Sequence, residues 1–302
     1  MKRTIKIVEV GPRDGLQNEK RILSPQEKIE FVNKLSQTGL KFIEFGAFVS
    51  PKWVPQMSGS DQVAQSLSQS KNKIIYSALV PNLIGLEQAL KYDVKDVAIF
   101  AAASESFSKR NINCSIEESF LRFEQVMKVA KSKKIKVRGY LSTVFACPFE
   151  GVIPTKTVVK LTKKLLKIGC YEVSLGDTIG VATPKQVDAL LKALKKSDIP
   201  FSKIAMHFHD TRGTALANVL KSLEHGIHIF DSSLGGLGGC PYAPGALGNL
   251  ATEDLVYMLE GMGYKTGLNL ELLVKTHKWI QDIVGRPLNS HVGLSGSKIY
   301  FK

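Results

Sequence analysis

Eight short β-rich runs alternate with eight longer runs of helical periodicity along almost the whole chain, and few folds satisfy that order. The β-rich runs are Ile5–Val10, Lys41–Phe48, Lys73–Val80, Asp96–Ala103, Lys136–Val144, Tyr171–Asp177, Ile204–Asp210 and Ile227–Ser232. Between and after them, helical periodicity covers Pro25–Gly39, Asp61–Ser70, Leu83–Tyr92, Ile116–Ser132, Thr157–Gly169, Pro184–Lys195, Arg212–His225 and Leu247–Gly263. Ser24 and Ser115 stand where N-caps belong. Strands that alternate with helices build parallel βαβ units, and eight in succession close into a (β/α)8 barrel. A last helical segment, Leu270–Val284, and a tail follow. The expectation is one α/β domain over 1–302, a TIM barrel over about 4–263 with a C-terminal helical extension over about 264–302. That extension would cap the barrel or contribute to a dimer contact.

A barrel of this kind concentrates chemistry at the C-terminal ends of its strands. Arg13 and Asp14 follow the first run, Glu44 lies late in the second, and Asp177 ends the sixth. His207 and His209 sit at the end of the seventh, while Cys240 and Asn249 lie beyond the eighth. His207 and His209 are two apart in a strand, so they share a face. With Asp14 and the amide oxygen of Asn249 they form a mixed N/O set suited to an octahedral divalent ion such as Mg²⁺ or Mn²⁺. Either histidine could equally be a core or capping residue. Arg13 beside such a site can stabilise charge developing on an oxygen, or simply pair with Glu44. Asp177 is a proton-transfer candidate, with a loop or helix-cap role as its alternative. Glu150 is a weaker candidate at the rim. The other four histidines, His225, His228, His277 and His291, read as structural or surface residues.

The stretch Gly235–Asn249, GGLGGCPYAPGALGN, sets Cys240 among glycines. Glycine packs little and costs entropy when ordered, so the stretch reads as a mobile loop that presents a thiol, or as a surface loop with a chance cysteine. Cys114, Cys147 and Cys170 read as packing thiols. Four scattered cysteines without a CxxC pair fit a reducing compartment. No apolar run is long enough to span a bilayer, and the basic start MKRTIKIVEV passes directly into a strand pattern, so a soluble cytoplasmic protein is expected. The formal net charge of +14 favours an anionic partner. Nucleic acid is one option, but the lysines scatter over helix surfaces, without a basic arm or an aromatic RNA-binding motif. A phosphorylated small molecule fits equally well.

Several segments together resemble 3-hydroxy-3-methylglutaryl-CoA lyases: GPRDGLQNE at Gly11–Glu19, FVSPKWVPQM at Phe48–Met57, NINCSIEESF at Asn111–Phe120, SLGDTIGV at Ser174–Val181, HFHD at His207–Asp210 and GLGGCPYAPGALGN at Gly236–Asn249. The RDG and HxH pieces alone define only a wider superfamily of metal-dependent barrels. The likeness is to the bacterial form. It implies metal ligation by Asp14, His207, His209 and Asn249, with Arg13 as catalytic arginine, Cys240 as the thiol of a mobile loop, and Asp177 and Glu44 as active-site acids. It further implies retro-Claisen cleavage of 3-hydroxy-3-methylglutaryl-CoA to acetyl-CoA and acetoacetate, with Mg²⁺ or Mn²⁺ acidifying the tertiary hydroxyl. Proton removal would fall to Asp177 or a metal-linked histidine. Arg13 would stabilise the enolate, and Cys240 would help deliver a proton to the nascent acetyl-CoA. Lys109, Arg110 and Asn111, after the fourth run, become expected contacts for the CoA thioester, its phosphates above all. A homodimer is expected, without nucleic-acid or membrane partners. Ala47 departs from the pattern by removing a hydroxyl near the substrate. A related condensing enzyme, of the isopropylmalate or homocitrate synthase kind, is the alternative. A basic barrel binding nucleic acid is the non-enzymatic one.

Overall fold

The structure, a computed structural model, describes residues 4–68, 73–239 and 248–299. Eight parallel strands form a closed barrel: β1 (Lys6–Glu9), β2 (Phe42–Ala47), β3 (Ile75–Leu79), β4 (Asp96–Ala102), β5 (Lys136–Ser142), β8 (Glu172–Asp177), β9 (Ile204–Phe208) and β10 (Ile229–Ser232). The ring closes where β1 pairs with β10, Lys6 opposite Ile229 through Glu9 opposite Ser232. A small antiparallel hairpin, β6 (Ala146–Cys147) and β7 (Gly151–Val152), rises from the loop after β5.

The surrounding helices are α1 (Pro25–Ser36), α2 (Ser60–Ser68), α3 (Leu83–Leu90), α4 (Glu105–Ile112), α5 (Ile116–Ser132), α6 (Thr155–Ile168), α7 (Pro184–Lys196), α8 (Ala215–Glu224) and α9 (Thr252–Gly261). Ser24 and Ser115 close capping boxes with Glu27 and Glu118, so the cap residues read from sequence do start α1 and α5. α6 shows how the core forms: Val158, Leu161, Thr162 and Leu165 recur at helical spacing and are all buried against the barrel, while the lysines between them face out.

Three departures from the sequence reading matter for the site. α4 is an additional helix in the loop after β4; Ser104 caps it by accepting from the Phe107 amide. α8 begins at Ala215, not Arg212, because Asp210 accepts the Ala215 amide and sets the first turn there. α9 begins at Thr252, not Leu247, which lies outside the described residues. The segment before α9 is extended instead. Asn249 bridges to His209, and Ala251 to Ser233, stitching it across the ends of β9 and β10.

Beyond the barrel, α10 (Leu270–Val284) packs along α1 and α9, from Thr38 at the opposite end up to this one, where α11 (His291–Ser295) follows. Asp254 accepts from Ser290 Oγ and the Val292 amide, both at 2.8 Å. The Asn289 amide donates to the Gly235 carbonyl at 3.0 Å. The C-terminal extension thus holds the loop that leaves β10. Among the described residues no helix is long and apolar enough to cross a membrane.

Candidate metal centre and active site

The turn after β1, Gly11–Gly15, is π-helical: the Gly15 amide reaches back to the Val10 carbonyl at 3.1 Å. Buried Glu9 fixes it from below, accepting the amides of Gly11 at 2.8 Å and Leu234 at 2.9 Å and the Thr252 hydroxyl at 2.7 Å. The turn presents Arg13 and Asp14 side by side. Arg13 Nε donates to Glu44 Oε2 at 2.8 Å and Nη1 to Asp14 Oδ1 at 2.7 Å. Tyr140 OH also donates to Glu44 Oε2, at 3.1 Å, and the Arg13 guanidinium lies 5.3 Å from the Tyr140 ring centre. The expected Arg13–Glu44 pair is therefore present, and it orients Arg13 without using up Nη2, which has no hydrogen-bond partner among the described residues.

Asp14, His207 and His209 converge so that one ligand atom from each lies within 4.8 Å of the others. His207 Nε2 is 3.8 Å from Asp14 Oδ2, and the two imidazole centres are 5.3 Å apart. Asn249 joins them by donating Nδ2 to Asp14 Oδ2 at 2.9 Å and to the Leu237 carbonyl at 3.0 Å. Two polar atoms in this cluster are buried without a partner, His209 Nδ1 and Asn249 Oδ1. A buried acceptor left unmatched is costly. An oxygen-preferring divalent cation satisfies an amide oxygen, a carboxylate and imidazole nitrogens together, so the donor set fits a metal ion.

The electrostatics agree with that fit. Burial alone would raise the Asp14 carboxyl, but Arg13, then His207 and His209, outweigh it and hold the carboxyl down at about 2. Burial, reinforced by the neighbouring His207, pushes His209 down to about 4. Both groups thus sit in the deprotonated form that a metal requires. Glu44 goes the other way: burial raises it despite Arg13.

Asp177 is differently engaged. Its two oxygens accept the Val181 and Ala182 amides, each at 3.0 Å, and burial raises it to about 6. That geometry braces the loop between β8 and α7 and leaves each oxygen a further lone pair. Lys109, Arg110 and Asn111 occupy the last turn of α4, at the same end of the barrel. Arg110 stacks on Phe149 at 4.3 Å. Glu150 accepts the Ser106 amide at 2.6 Å and so steadies the start of α4. Ala47 is buried, and its amide donates to Ser60 Oγ, the nearby hydroxyl on this side. Cys114, Cys147 and Cys170 are buried free thiols.

Cys240 lies outside the described residues. The glycines that lead to and from it, however, have a packing use that the sequence reading denied them. A side chain on Gly238 would meet Asn249 Nδ2 at 2.5 Å, and one on Gly248 would meet the Gly236 carbonyl at 2.0 Å. The two stems of the loop cross in contact over Asn249, and only glycine permits that approach. Leu237, between them, is fully buried.

Sequence reasoning missed the polar interior of the barrel: Glu9, Arg138, Tyr140, Ser174 and Asp231 are all buried. The available signal was polar residues at every second position of strands otherwise filled by aliphatics, as in KVRGYLS. In a (β/α)8 barrel those positions face inward.

A closed (β/α)8 barrel with an Asp–His–His cluster and an arginine at its C-terminal end belongs to the metal-centred class of such barrels. The chain belongs to the HMGL-like family, whose model matches residues 4–280. It is 52% identical over 295 residues to the mitochondrial hydroxymethylglutaryl-CoA lyase of Pongo abelii, covering 98% of this chain and 90% of that one. The crystal structure of hydroxymethylglutaryl-CoA lyase from Pseudomonas aeruginosa superposes with a TM-score of 0.94 at 48% identity, with 98% of each chain covered. An HMG-CoA lyase from Acinetobacter baumannii, solved with coenzyme A and 3-methylmalate, gives 0.93 at 36% identity, covering 99% of this chain and 97% of that one.

Proposed function

We propose that this protein is a divalent-metal-dependent carbon–carbon lyase that cleaves 3-hydroxy-3-methylglutaryl-CoA to acetyl-CoA and acetoacetate. The observation that carries this reading is the buried, unpartnered Asn249 Oδ1 beside the Asp14–His207–His209 cluster, with Arg13 adjoining. Asp14, His207, His209 and Asn249 would hold Mg²⁺ or Mn²⁺. Such an ion, when bound, acidifies a coordinated hydroxyl and draws the substrate's oxygens into one orientation.

The remaining work falls to side chains. Arg13, clamped by Glu44 and Asp14, aims Nη2 at the thioester oxygen on which negative charge develops as the C2–C3 bond breaks. A donor fixed in advance stabilises that charge without reorganising. The hydroxyl proton would pass to Asp177, whose oxygens each keep a lone pair beyond the amide they accept and whose carboxyl is raised to about 6, or to a metal-linked histidine. Cys240 returns a proton to the acetyl-CoA carbon. Lys109, Arg110 and Asn111 offer positive charge and an amide to the CoA phosphates at the rim. We further infer that the described residues act as one catalytic domain, that the protein works as a homodimer, and that it resides in the cytoplasm, as its unpaired cysteines suggest.

The test is to strip the purified protein with chelator and incubate it with HMG-CoA, with and without added Mg²⁺ or Mn²⁺. Acetoacetate should form only with metal. Consumption of acetyl-CoA with a 2-oxo acid, and no acetoacetate from HMG-CoA, would instead identify a condensing enzyme.

A further inference from the structure

Asp231, on β10 inside the barrel, is buried and receives every donor around it. Arg138 Nη2 donates to Oδ1 at 2.7 Å and Nη1 to Oδ2 at 3.1 Å. Ser174 Oγ donates to Oδ2 at 2.7 Å. His207 Nδ1 stands 3.2 Å from the same oxygen. Arg138 is in turn fixed from its other side, Nε donating to Glu172 Oε1 at 2.7 Å. A two-point ion pair with an arginine that cannot lose its proton keeps the Asp231 carboxylate acceptor-only. His207 Nδ1 must therefore carry the hydrogen, and the lone pair is left on Nε2, the nitrogen facing Asp14. His209 has no such partner: its Nδ1 is unmatched.

We propose that Asp231, locked by Arg138 and Ser174, is a positioning residue that sets the tautomer and ring direction of His207 and so prepares Nε2 to bind the metal. Asp231 touches neither substrate nor metal and acts through the imidazole. Partners of this kind orient metal-ligating histidines, and their loss weakens metal affinity about 10–100-fold. A purely structural Asp231, present only to neutralise Arg138, would leave both the tautomer and the metal affinity alone once the fold was secured. The proposal rests on Asp14, His207 and His209 forming a metal site. It is read without substrate, so HMG-CoA cleavage can fail while it stands, and the reverse.

The experiment is ¹⁵N NMR of the histidine side chains in metal-free protein, at a pH where His207 is neutral, together with Mn²⁺ titration followed by EPR. Wild type should show the Nδ1–H form. In Asp231→Asn the new amide can donate to Nδ1, so the Nε2–H form should appear and Mn²⁺ affinity should fall about 10–100-fold. If that variant does not fold because Arg138 keeps only Glu172 as a counter-charge, the double variant Arg138→Gln/Asp231→Asn removes both charges and should show the same two changes. An Nε2–H form in wild type, or wild-type Mn²⁺ affinity in a folded variant, overturns the proposal.

Discussion

Arg13 is fixed at two of its nitrogens by carboxylates and packed near Tyr140, so its position does not depend on substrate. Arg13→Met keeps the unbranched stem and removes the charged guanidinium. Turnover of HMG-CoA should fall on the order of 10²–10³-fold, while the thermal midpoint changes far less, because Tyr140 still donates to Glu44. Near wild-type kcat would leave Arg13 a purely structural partner of Glu44. Cys240→Ser is expected to reduce kcat strongly, since a hydroxyl is a much weaker acid than a thiol near 8.5, with Mn²⁺ stoichiometry unchanged. Loss of metal in that variant would make the sulfur a ligand. At this scale the sequence shows the outward-reaching site residues, because RDG and HFHD cluster reactive groups at strand ends. It hides Asp231, Arg138 and Tyr140, which meet only after strands distant in sequence close into one ring.

Strand and helix order was legible from periodicity alone, and most boundaries fall within a few residues of the expected ones. The turn after β1 was not, since its π-helical path depends on contacts from β10 and the loop beyond it. A side chain on Gly15 would meet Ser233 Oγ at 2.5 Å and Leu237 Cβ at 2.9 Å. Gly15→Ala should therefore push the turn that carries Asp14 away from Asn249. The expected cost is about 1–3 kcal/mol of stability, as for an overpacked interior, seen as a lower unfolding midpoint, together with weaker Mn²⁺ binding. Unaltered Mn²⁺ affinity would mean that the turn relaxes without moving Asp14. The hairpin β6–β7 and α4 were likewise invisible. Each is short, and they hold one another: Glu150, between β6 and β7, accepts the Ser106 amide of α4, and Ser104, the cap of α4, donates to Cys147 Sγ on β6.

Taken whole, the barrel buries acids that it prefers neutral. Burial raises Asp96 from 3.8 and Glu9 from 4.5, each to about 7. Between about pH 4 and 7 the folded protein keeps protons that the unfolded chain releases. These groups therefore favour folding most below pH 4, and that contribution is lost as the pH rises through 7. In metal-free protein, Asp96→Asn should lose less stability than wild type between pH 5 and 7.5. The difference, a few degrees in midpoint, isolates Asp96 from the other titrating groups; parallel midpoint curves would show that Asp96 is ionised when folded. The pairing of β1 with β10 has a different consequence, in time. Arg13 and Asp14 leave the ribosome early, whereas His207, His209 and Asn249 follow roughly two hundred residues later. At about 5–20 residues per second, the first strand waits on the order of ten seconds or more for its partner. A product truncated before His207 would carry one of the four proposed ligands and should capture no ion, so metal uptake would mark that synthesis has run past the eighth strand.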